Sequence, residues 1–327
     1  MDKTTQNLET NPMRLLMLGI SSMVLTFSVV MAVFAPFPIS LASVLYGRRF
    51  GYVLGGLCLV IFFVLSVFVF QKMTPFILYS TALVVSIAIT EIVVRGLAPV
   101  KSMVKFGLGL ILLIAGCGYY VVKKADISVN DMVLAEVKKG AAQIEEQKEQ
   151  LIGDGNSEET MQLMSLLSQP QLLTKEIIKS APAYFFISIF FILWSNLFLV
   201  LKSRRILYLG RKFRYTELSL LNFKVPENVV YLLIVSLCLA IWGNEIIPDK
   251  TWPADVGMTL IKCMGLFYFF QGFGIYVKFL DFTKVSGIFR TFIVMITVLM
   301  ASWLLALVGL FDLWFDFRNM FKVKKEK

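Results

Sequence analysis

Histidine is absent from this 327-residue sequence, and cysteine is rare. A zinc site cannot be drawn from what remains, because the four cysteines lie singly in separate apolar runs and suggest neither a ligand set nor a disulfide framework. A phosphate-binding Gly-x-x-x-x-Gly-Lys-Ser/Thr loop is also missing. We therefore expect no metal, no cofactor and no ATPase activity in this chain. The cysteines are Cys58, Cys117, Cys238 and Cys263.

Charge is scarce as well, since charged residues make up 17% of the sequence whereas hydrophobic residues make up 57% and phenylalanine occurs 29 times. A soluble domain could not keep so much apolar surface from water. Apolar runs of roughly 18 to 24 residues recur, and each is long enough as a helix to cross about 30 Å of hydrocarbon. The runs do not alternate apolar and polar residues as the strands of a β-barrel do. The sequence therefore predicts an all-α, polytopic transmembrane helical bundle.

About eight or nine spans are expected. Residues 13–34 should form the first, because this run is too long for a cleaved signal peptide and has no small-residue cleavage site. Two prolines, Pro36 and Pro38, should end it. The next apolar segment is too short to cross alone, so we expect a half-helix or a tilted short helix near 39–49, and nine spans if it counts as a crossing. The other spans are predicted near 50–70, 75–94, 104–122, 181–201, 229–246, 257–277 and 288–311.

A polar insertion at 123–180, in which acidic residues outnumber basic ones, divides the chain into an N-terminal membrane bundle at 1–122 and a C-terminal one at 181–327. Counting of basic loops places the insertion outside the cell and the strongly basic 202–228 loop in the cytoplasm. The same count puts the basic tail outside, unless the stretch 288–317 turns back or one helix is miscounted. Because the net charge of +10 follows this loop pattern, we expect no nucleic-acid partner.

The first part of the insertion is predicted to be a helix, capped by Ser128 or Asn130 and carrying one apolar stripe. Residues 153–157 should break it, and a second apolar patch precedes Pro170. The patch could rest on the bilayer or on a partner, and the alternative is a solvated helical hairpin with the stripe folded inward. The stripe comprises Val133, Val137, Ala141, Ile144 and Leu151; the patch comprises Met161, Leu163, Met164, Leu166 and Leu167.

Three stretches resemble a known family. They are Phe37-Pro38-Ile39 through Gly47-Arg48-Arg49-Phe50-Gly51, Phe223-Lys224-Val225-Pro226, and Phe269-Phe270-Gln271-Gly272 followed by Gly309-Leu310-Phe311-Asp312-Leu313-Trp314-Phe315-Asp316-Phe317-Arg318. The last is similar to the closing signature of the YybS-like predicted bacterial membrane proteins. That family has been compared with the substrate-binding S components of energy-coupling-factor vitamin transporters. The resemblance implies a multi-pass protein of the bacterial cytoplasmic membrane that binds a small molecule, although the insertion and the additional C-terminal spans depart from a compact vitamin binder.

Ionisable residues in or near the spans are the first candidates for function, because their burial in hydrocarbon is costly. Glu91 and Arg95 lie four apart on one helical face, where they could line a cavity or snorkel to water. Asp312 and Asp316 lie one turn apart near Arg318. This acidic pair could bind a cation, could lock onto the basic loop, or could simply end the last helix at the interface.

Asn196 and Gln271 are the main uncharged candidates. Hydrogen bonds between helices would explain both, and a ligand site is the alternative. Neither these residues nor the carboxylates form a recognisable nucleophile or acid–base arrangement, so we expect no enzymatic activity. The ligand-binding candidates are Glu91, Arg95, Asn196, Gln271, Asp312 and Asp316.

Two functions compete. The first is a small-molecule-binding or transport-related membrane subunit without its own ATPase, with its pocket among the spans that carry Glu91, Asn196 and Gln271. The second is a non-catalytic scaffold or assembly protein that binds protein partners through the 123–180 insertion and the basic 202–228 loop. Both functions place the protein in the lipid bilayer.

Overall fold

The structure is a computed structural model and describes residues 12–28, 31–126, 128–146, 169–206, 214–246 and 252–321. Every regular element among these residues is helical. The helices are α1 (Pro12–Phe27), α2 (Pro36–Tyr46), α3 (Arg48–Val64), α4 (Thr74–Val94), α5 (Pro99–Lys124), α6 (Val129–Glu146), α7 (Pro170–Ile206), α8 (Glu217–Leu221), α9 (Val229–Ile246), α10 (Trp252–Phe282), α11 (Gly287–Met300), α12 (Ser302–Phe315) and α13 (Phe317–Met320).

The predicted all-α membrane class is confirmed. Within the described part of the chain, five helices are long and apolar enough to cross a bilayer: α3 with the π-helical turn that extends it, α4, α5, α7 and α10. A sixth span results if α11 and α12 are counted together, and the apolar helices α1, α2 and α9 are shorter. Outward faces carry apolar side chains, with Val53 62% and Leu112 74% exposed. Such faces suit contact with lipid rather than water.

The first span differs from its prediction. Helix α1 ends at Phe27 instead of continuing to residue 34, and a 3₁₀ turn over Met31–Phe34 follows. Pro36 then begins a new helix, because proline fits the first turn, where its missing N–H costs nothing. That helix, α2, is the short one expected near 39–49. Its 11 residues rise about 16 Å, roughly half the hydrocarbon thickness.

Helix α2 is enclosed by its neighbours. Eight of its residues are buried. The Ser40 hydroxyl lies 3.1 Å from that of Ser86 in α4, and Ser22 of α1 donates a hydrogen bond to the Ala35 carbonyl at 2.8 Å. A Cβ on Gly51 would lie 1.8 Å from the Ser43 hydroxyl oxygen, so glycine is what lets α3 approach α2 here. The prolines therefore start a buried half-length helix.

The last predicted span is also different. Residues 288–311 are not one straight helix, because α11 and α12 meet at Ala301 with a bend of 91°. A turn in this stretch was one of the two explanations for the charge conflict at the tail. The chain turns again after α12, where Asp316 adopts a left-handed conformation with φ 45°.

Helix α6 confirms the predicted helix in the insertion. Ser128 caps it, since its hydroxyl accepts a hydrogen bond from the Asp131 N–H at 3.3 Å, while Asn130 lies inside the helix. Val133, Val137 and Ala141 of the stripe are half-buried. The Ile144 side chain, Leu151, the break at 153–157 and the second patch, Met161, Leu163, Met164, Leu166 and Leu167, lie outside the described residues.

Packing groups the chain into two compact units. One comprises Met1–Leu110, Ser188–Glu227 and Gly265–Lys327, and the other comprises Ile111–Ile187 and Asn228–Met264. Stacked rings mark the core of the first, such as Phe62 on Tyr79 with centroids 4.6 Å apart. The three-part organisation expected from the sequence stays a prediction.

Glycine permits a close crossing of α10 and α12 in the first unit. A Cβ on Gly272 of α10 would lie 1.8 Å from the Leu305 carbonyl oxygen, and a Cβ on Gly309 of α12 would lie 1.9 Å from the Tyr268 carbonyl oxygen. The obstacles are backbone atoms, which cannot rotate away. The crossing therefore requires glycine on both helices and sets the position of α12.

We expect Gly272→Ala to lower the thermal midpoint of the detergent-purified protein, because the added methyl group would push α12 from α10 at a cost of about 1–3 kcal/mol. Gly265→Ala is the matched control in the same helix, since no atom lies within 4 Å of its Cβ position. An equal midpoint for both variants would contradict the importance of this crossing.

Candidate functional site

A buried polar network joins α10, α12 and the loop after α8. The Gln271 carboxamide donates a hydrogen bond from Nε2 to Asp312 Oδ2 at 3.0 Å and accepts one at Oε1 from the Val225 N–H at 2.7 Å. Gln271 is 0% and Asp312 1% exposed. Both ends of the amide are thus used, which fixes its orientation.

Arg318 completes this network. The left-handed turn at Asp316 reverses the chain after α12 and brings Arg318 back to Asp312, with its Nε 3.4 Å from Oδ2. Its Nη2 donates hydrogen bonds to the Phe223 carbonyl and, at 3.3 Å, to the Gln271 carbonyl. Burial lowers the Arg318 pKa, and the charges of Asp312 and Asp316 oppose this change. Arginine remains charged at neutral pH, so the network contains a buried ion pair.

The network lies within an apolar stretch of α10. Lys262 and Lys278 flank this stretch, nine and seven residues from Gln271, or about 13 and 10 Å along the helix. Ring stacking of Trp194 of α7 on Phe270, with centroids 4.9 Å apart, places apolar neighbours beside it. Charged groups at such positions in membrane proteins usually serve a function.

Irregular backbone surrounds the network. Residues 222–226 are not helical, and Phe223 and Val225 are buried while Lys224 between them is exposed. Gly274 allows the chain to press against α10, because a Cβ there would lie 2.0 Å from the Leu221 carbonyl oxygen. Non-helical backbone inside a membrane protein is tolerated where protein satisfies its polar groups, as Gln271 and Arg318 do here.

One acceptor of the network is unused. Asp312 Oδ1 is buried and has no hydrogen-bond partner among the described residues. A buried carboxylate oxygen without a donor is costly, and such atoms in native structures call for an explanation. The site can therefore accept a proton, a cation or an N–H or O–H group at this oxygen.

Glu91 and Arg95 form a second cluster, at the end of α4. Glu91 pairs with Arg95 and also contacts two residues of α3. Arg48 Nη1 lies 3.5 Å from Glu91 Oε1, and the Tyr52 hydroxyl donates a hydrogen bond to the same oxygen at 2.9 Å. The Glu91 side chain is 16% exposed and that of Arg95 61%. The cluster thus lies partly buried at the protein surface.

Asn196 and Asp316 are separate from both clusters. The Asn196 amide donates hydrogen bonds to the carbonyls of Ile192 and Val33, each at 2.7 Å, and so ties the 3₁₀ turn to α7. Asp316 is exposed at the chain reversal and accepts a hydrogen bond from Asn319. Only one member of the predicted acidic pair, Asp312, therefore belongs to the buried network. Ligand binding by the six predicted residues stays a prediction.

Sequence reasoning missed several contributors. Arg48, Tyr52 and the backbone groups of Phe223 and Val225 were not among the candidates, although Arg48 lies in the Gly47-Arg48-Arg49 stretch and the last two lie in the Phe-Lys-Val-Pro stretch of the resemblance. Also missed was a cleft of about 400 Å³ between α6 and α7, which contains none of the six ligand-binding candidates. Its lining comprises Asn130, Leu134, Gln171, Thr174, Lys175 and Ile178.

A family described as a predicted membrane protein (DUF2232) matches residues 13–313. Because this match covers most of the chain, the chain belongs to that family. No curated protein and no solved structure gives a significant match. The matched range includes Gln271 and Asp312 and ends before Arg318.

Asp312→Asn should destabilise the purified protein by about 3–5 kcal/mol, because it leaves the Arg318 charge buried without its partner. Asp316→Asn is the control, since this residue is exposed and asparagine tolerates its left-handed conformation. The measurement is the thermal midpoint in detergent. Asp312→Asn/Arg318→Gln should recover most of the loss, and a double variant no more stable than the single one would count against the buried ion pair.

Proposed function

We propose that this member of the family of predicted membrane proteins is a small-molecule-binding, transport-related subunit of the bacterial cytoplasmic membrane, without its own ATPase or other enzymatic activity. The observation that carries the proposal is the unpartnered Oδ1 of Asp312, buried within the apolar part of the bundle. The resemblance to the YybS-like proteins, and through them to transporter S components, agrees with this proposal.

The energetic argument concerns the ion pair. Removing a carboxylate and a guanidinium from water costs several kcal/mol per ion, and well-packed apolar residues often stabilise a fold as well or better. The backbone contacts of the 222–226 segment are made by Gln271 and Arg318 and leave Asp312 Oδ1 unused, so these contacts alone do not account for the burial of both ions. A role in binding explains their burial, since the pair presents one oriented carboxylate oxygen to a ligand.

The chemistry of this oxygen selects the ligand class. Arg318 already balances the Asp312 charge, so an incoming group need only donate a hydrogen bond. A small polar molecule with an amine, amide or hydroxyl group meets this requirement. The apolar surroundings of the site, including Phe270 and Phe223, suit a ligand whose remainder is uncharged.

Interrupted helices around the site support a transport-related role. The irregular segment at 222–226 contributes Phe223 and Val225 to the network, and α12, which carries Asp312, follows the bend at Ala301. Transporters place their binding sites beside such breaks, because a break can change conformation without unfolding a whole span. Lys224, between the buried Phe223 and Val225, is exposed, so this segment reaches the protein surface. We therefore place the route to Asp312 along this segment.

The scaffold alternative has less structural support. It relies on an apolar stripe of α6 that is free to bind partners, whereas Val133, Val137 and Ala141 are half-buried within the protein. The basic 202–228 loop engages the buried network through backbone atoms of Phe223 and Val225. The alternative predicts protein partners and no ligand, which makes it directly testable.

Native mass spectrometry of the detergent-purified protein tests the proposal. We expect a small-molecule adduct on the wild type that is absent from Asp312→Asn/Arg318→Gln, because that variant stays neutral but loses the carboxylate oxygen. Asp281→Asn/Arg290→Gln is the matched control, since it makes the same change at an exposed pair 2.5 Å apart. It should keep the adduct.

Two results would overturn the proposal. One is an adduct equally abundant on all three proteins. The other is an empty wild-type chain that purifies with a stoichiometric protein partner and loses it when residues 127–170 are deleted, which would establish the scaffold function.

A further inference from the structure

A second feature, remote in sequence from Asp312, lies where α3 begins and α4 ends. Glu91 accepts a hydrogen bond from the Tyr52 hydroxyl and pairs with both Arg48 and Arg95. Two guanidinium groups thus share one carboxylate, which leaves the cluster with a positive charge. The single acid is fixed from three directions, so it acts as a support for the two arginines.

Arg95 is held by one edge and open at the other. Its Nε pairs with Glu91, whereas its two terminal nitrogens contact no acceptor among the described residues and its side chain is 61% exposed. A guanidinium oriented in this way presents parallel N–H donors that match two oxygens of a phosphate group. The support by Glu91 reduces the conformational entropy lost when such a group binds.

Further cations lie at the same end of the first unit. A Cβ on Gly96, the residue after Arg95, would lie 3.8 Å from the Arg214 Cβ. Arg49 and Lys101 occupy the first turns of α3 and α5 and are exposed. These residues extend the positive potential of the cluster, but they are not paired with Glu91 as Arg95 is.

The cluster lies where the apolar helix α3 begins and the apolar helix α4 ends, the level at which lipid headgroups are expected. An outward apolar face of α3 begins at Phe50, which is 49% exposed, and continues through Val53 and Leu57. Arg48 therefore stands where the lipid-facing surface ends, and Arg95 pairs with the same carboxylate. Basic loops at this end predict the cytoplasmic side, whose leaflet carries the anionic lipids.

We infer that Arg95, oriented by Glu91 and assisted by Arg48 and Arg214, binds the phosphate group of an anionic phospholipid. The acyl chains of this lipid lie along the apolar face of α3. Charge, the open guanidinium fork and the adjoining apolar face together select a lipid over a soluble anion.

The test is native mass spectrometry of the full chain taken from nanodiscs of equal phosphatidylglycerol and phosphatidylcholine. We expect the retained lipid to be enriched in phosphatidylglycerol, and Arg95→Gln to reduce that enrichment about fivefold, the effect expected for one basic residue at a membrane surface. Lys124→Gln removes another exposed charge, at the opposite end of α5, and should leave the enrichment unchanged.

Circular dichroism and the thermal midpoint show whether Arg95→Gln folds. Arg95→Lys is a second variant, which keeps the positive charge but lacks the guanidinium group, and we expect it to give an intermediate enrichment. Equal retention of the two lipids by the wild type, or equal losses in Arg95→Gln and Lys124→Gln, would overturn the inference. Displacement of the retained lipid by millimolar inorganic phosphate would also overturn it, because the site would then be one for a soluble anion.

Discussion

Hydrogen bonds of the Gln271 side chain and of the groups around it join α10, α12 and the 222–226 segment. The Gln271 carboxamide accepts a hydrogen bond from the Val225 N–H and donates one to the Asp312 carboxylate. Arg318 donates hydrogen bonds to two backbone carbonyls, those of Phe223 and Gln271. In an environment without water, each of these backbone groups would otherwise be left without a partner at a cost of several kcal/mol. The irregular segment and the chain reversal after α12 can therefore lie against α10 because this network satisfies them.

Glycine and aromatic residues supply the complementary apolar part of the packing. Gly272 and Gly309 bring two backbones into direct contact, and the neighbouring Phe270 stacks on Trp194 at the same level of α10. Helix association in lipid depends on such close packing because burial of apolar surface contributes little when the solvent is itself apolar. One short stretch of α10 thus combines a close crossing, a ring stack and the polar network, and the substitutions it tolerates are correspondingly few.

Prediction from sequence succeeded where a local rule applied. The membrane class follows from apolar runs, the short second helix follows from Pro36 and Pro38 together with the length of the segment, and the start of α6 follows from Ser128. It was wrong where helix geometry changes inside a continuous apolar run. Neither the end of α1 at Phe27 nor the bend at Ala301 is marked by glycine or proline, so the composition on the two sides of each break is the same.

The candidate sites were predictable only in part, for a different reason. Glu91 and Arg95 lie one turn apart, so their pairing follows from helical spacing, but Tyr52 approaches from 39 residues away and Val225 is 46 residues from Gln271. Spacing also suggested that Asp312 and Asp316 act together, and the left-handed turn separates them. Tertiary contacts and single backbone torsions decide such cases, and neither leaves a periodic signal in the sequence.

The short helix α2 has a consequence for how the protein enters the membrane. A segment of half the required length, with Ser40 and Ser43 buried among its neighbours, cannot partition into lipid as an independent unit. Helix α2 packs against α1, which precedes it in the chain, and against α3 and α4, which follow it. Synthesis of α2 therefore precedes that of two of its three neighbouring helices, so we expect the segment to wait near the bilayer surface or inside the insertion machinery until α4 has been made. We therefore expect the four helices of the N-terminal bundle to assemble together rather than to insert one after another.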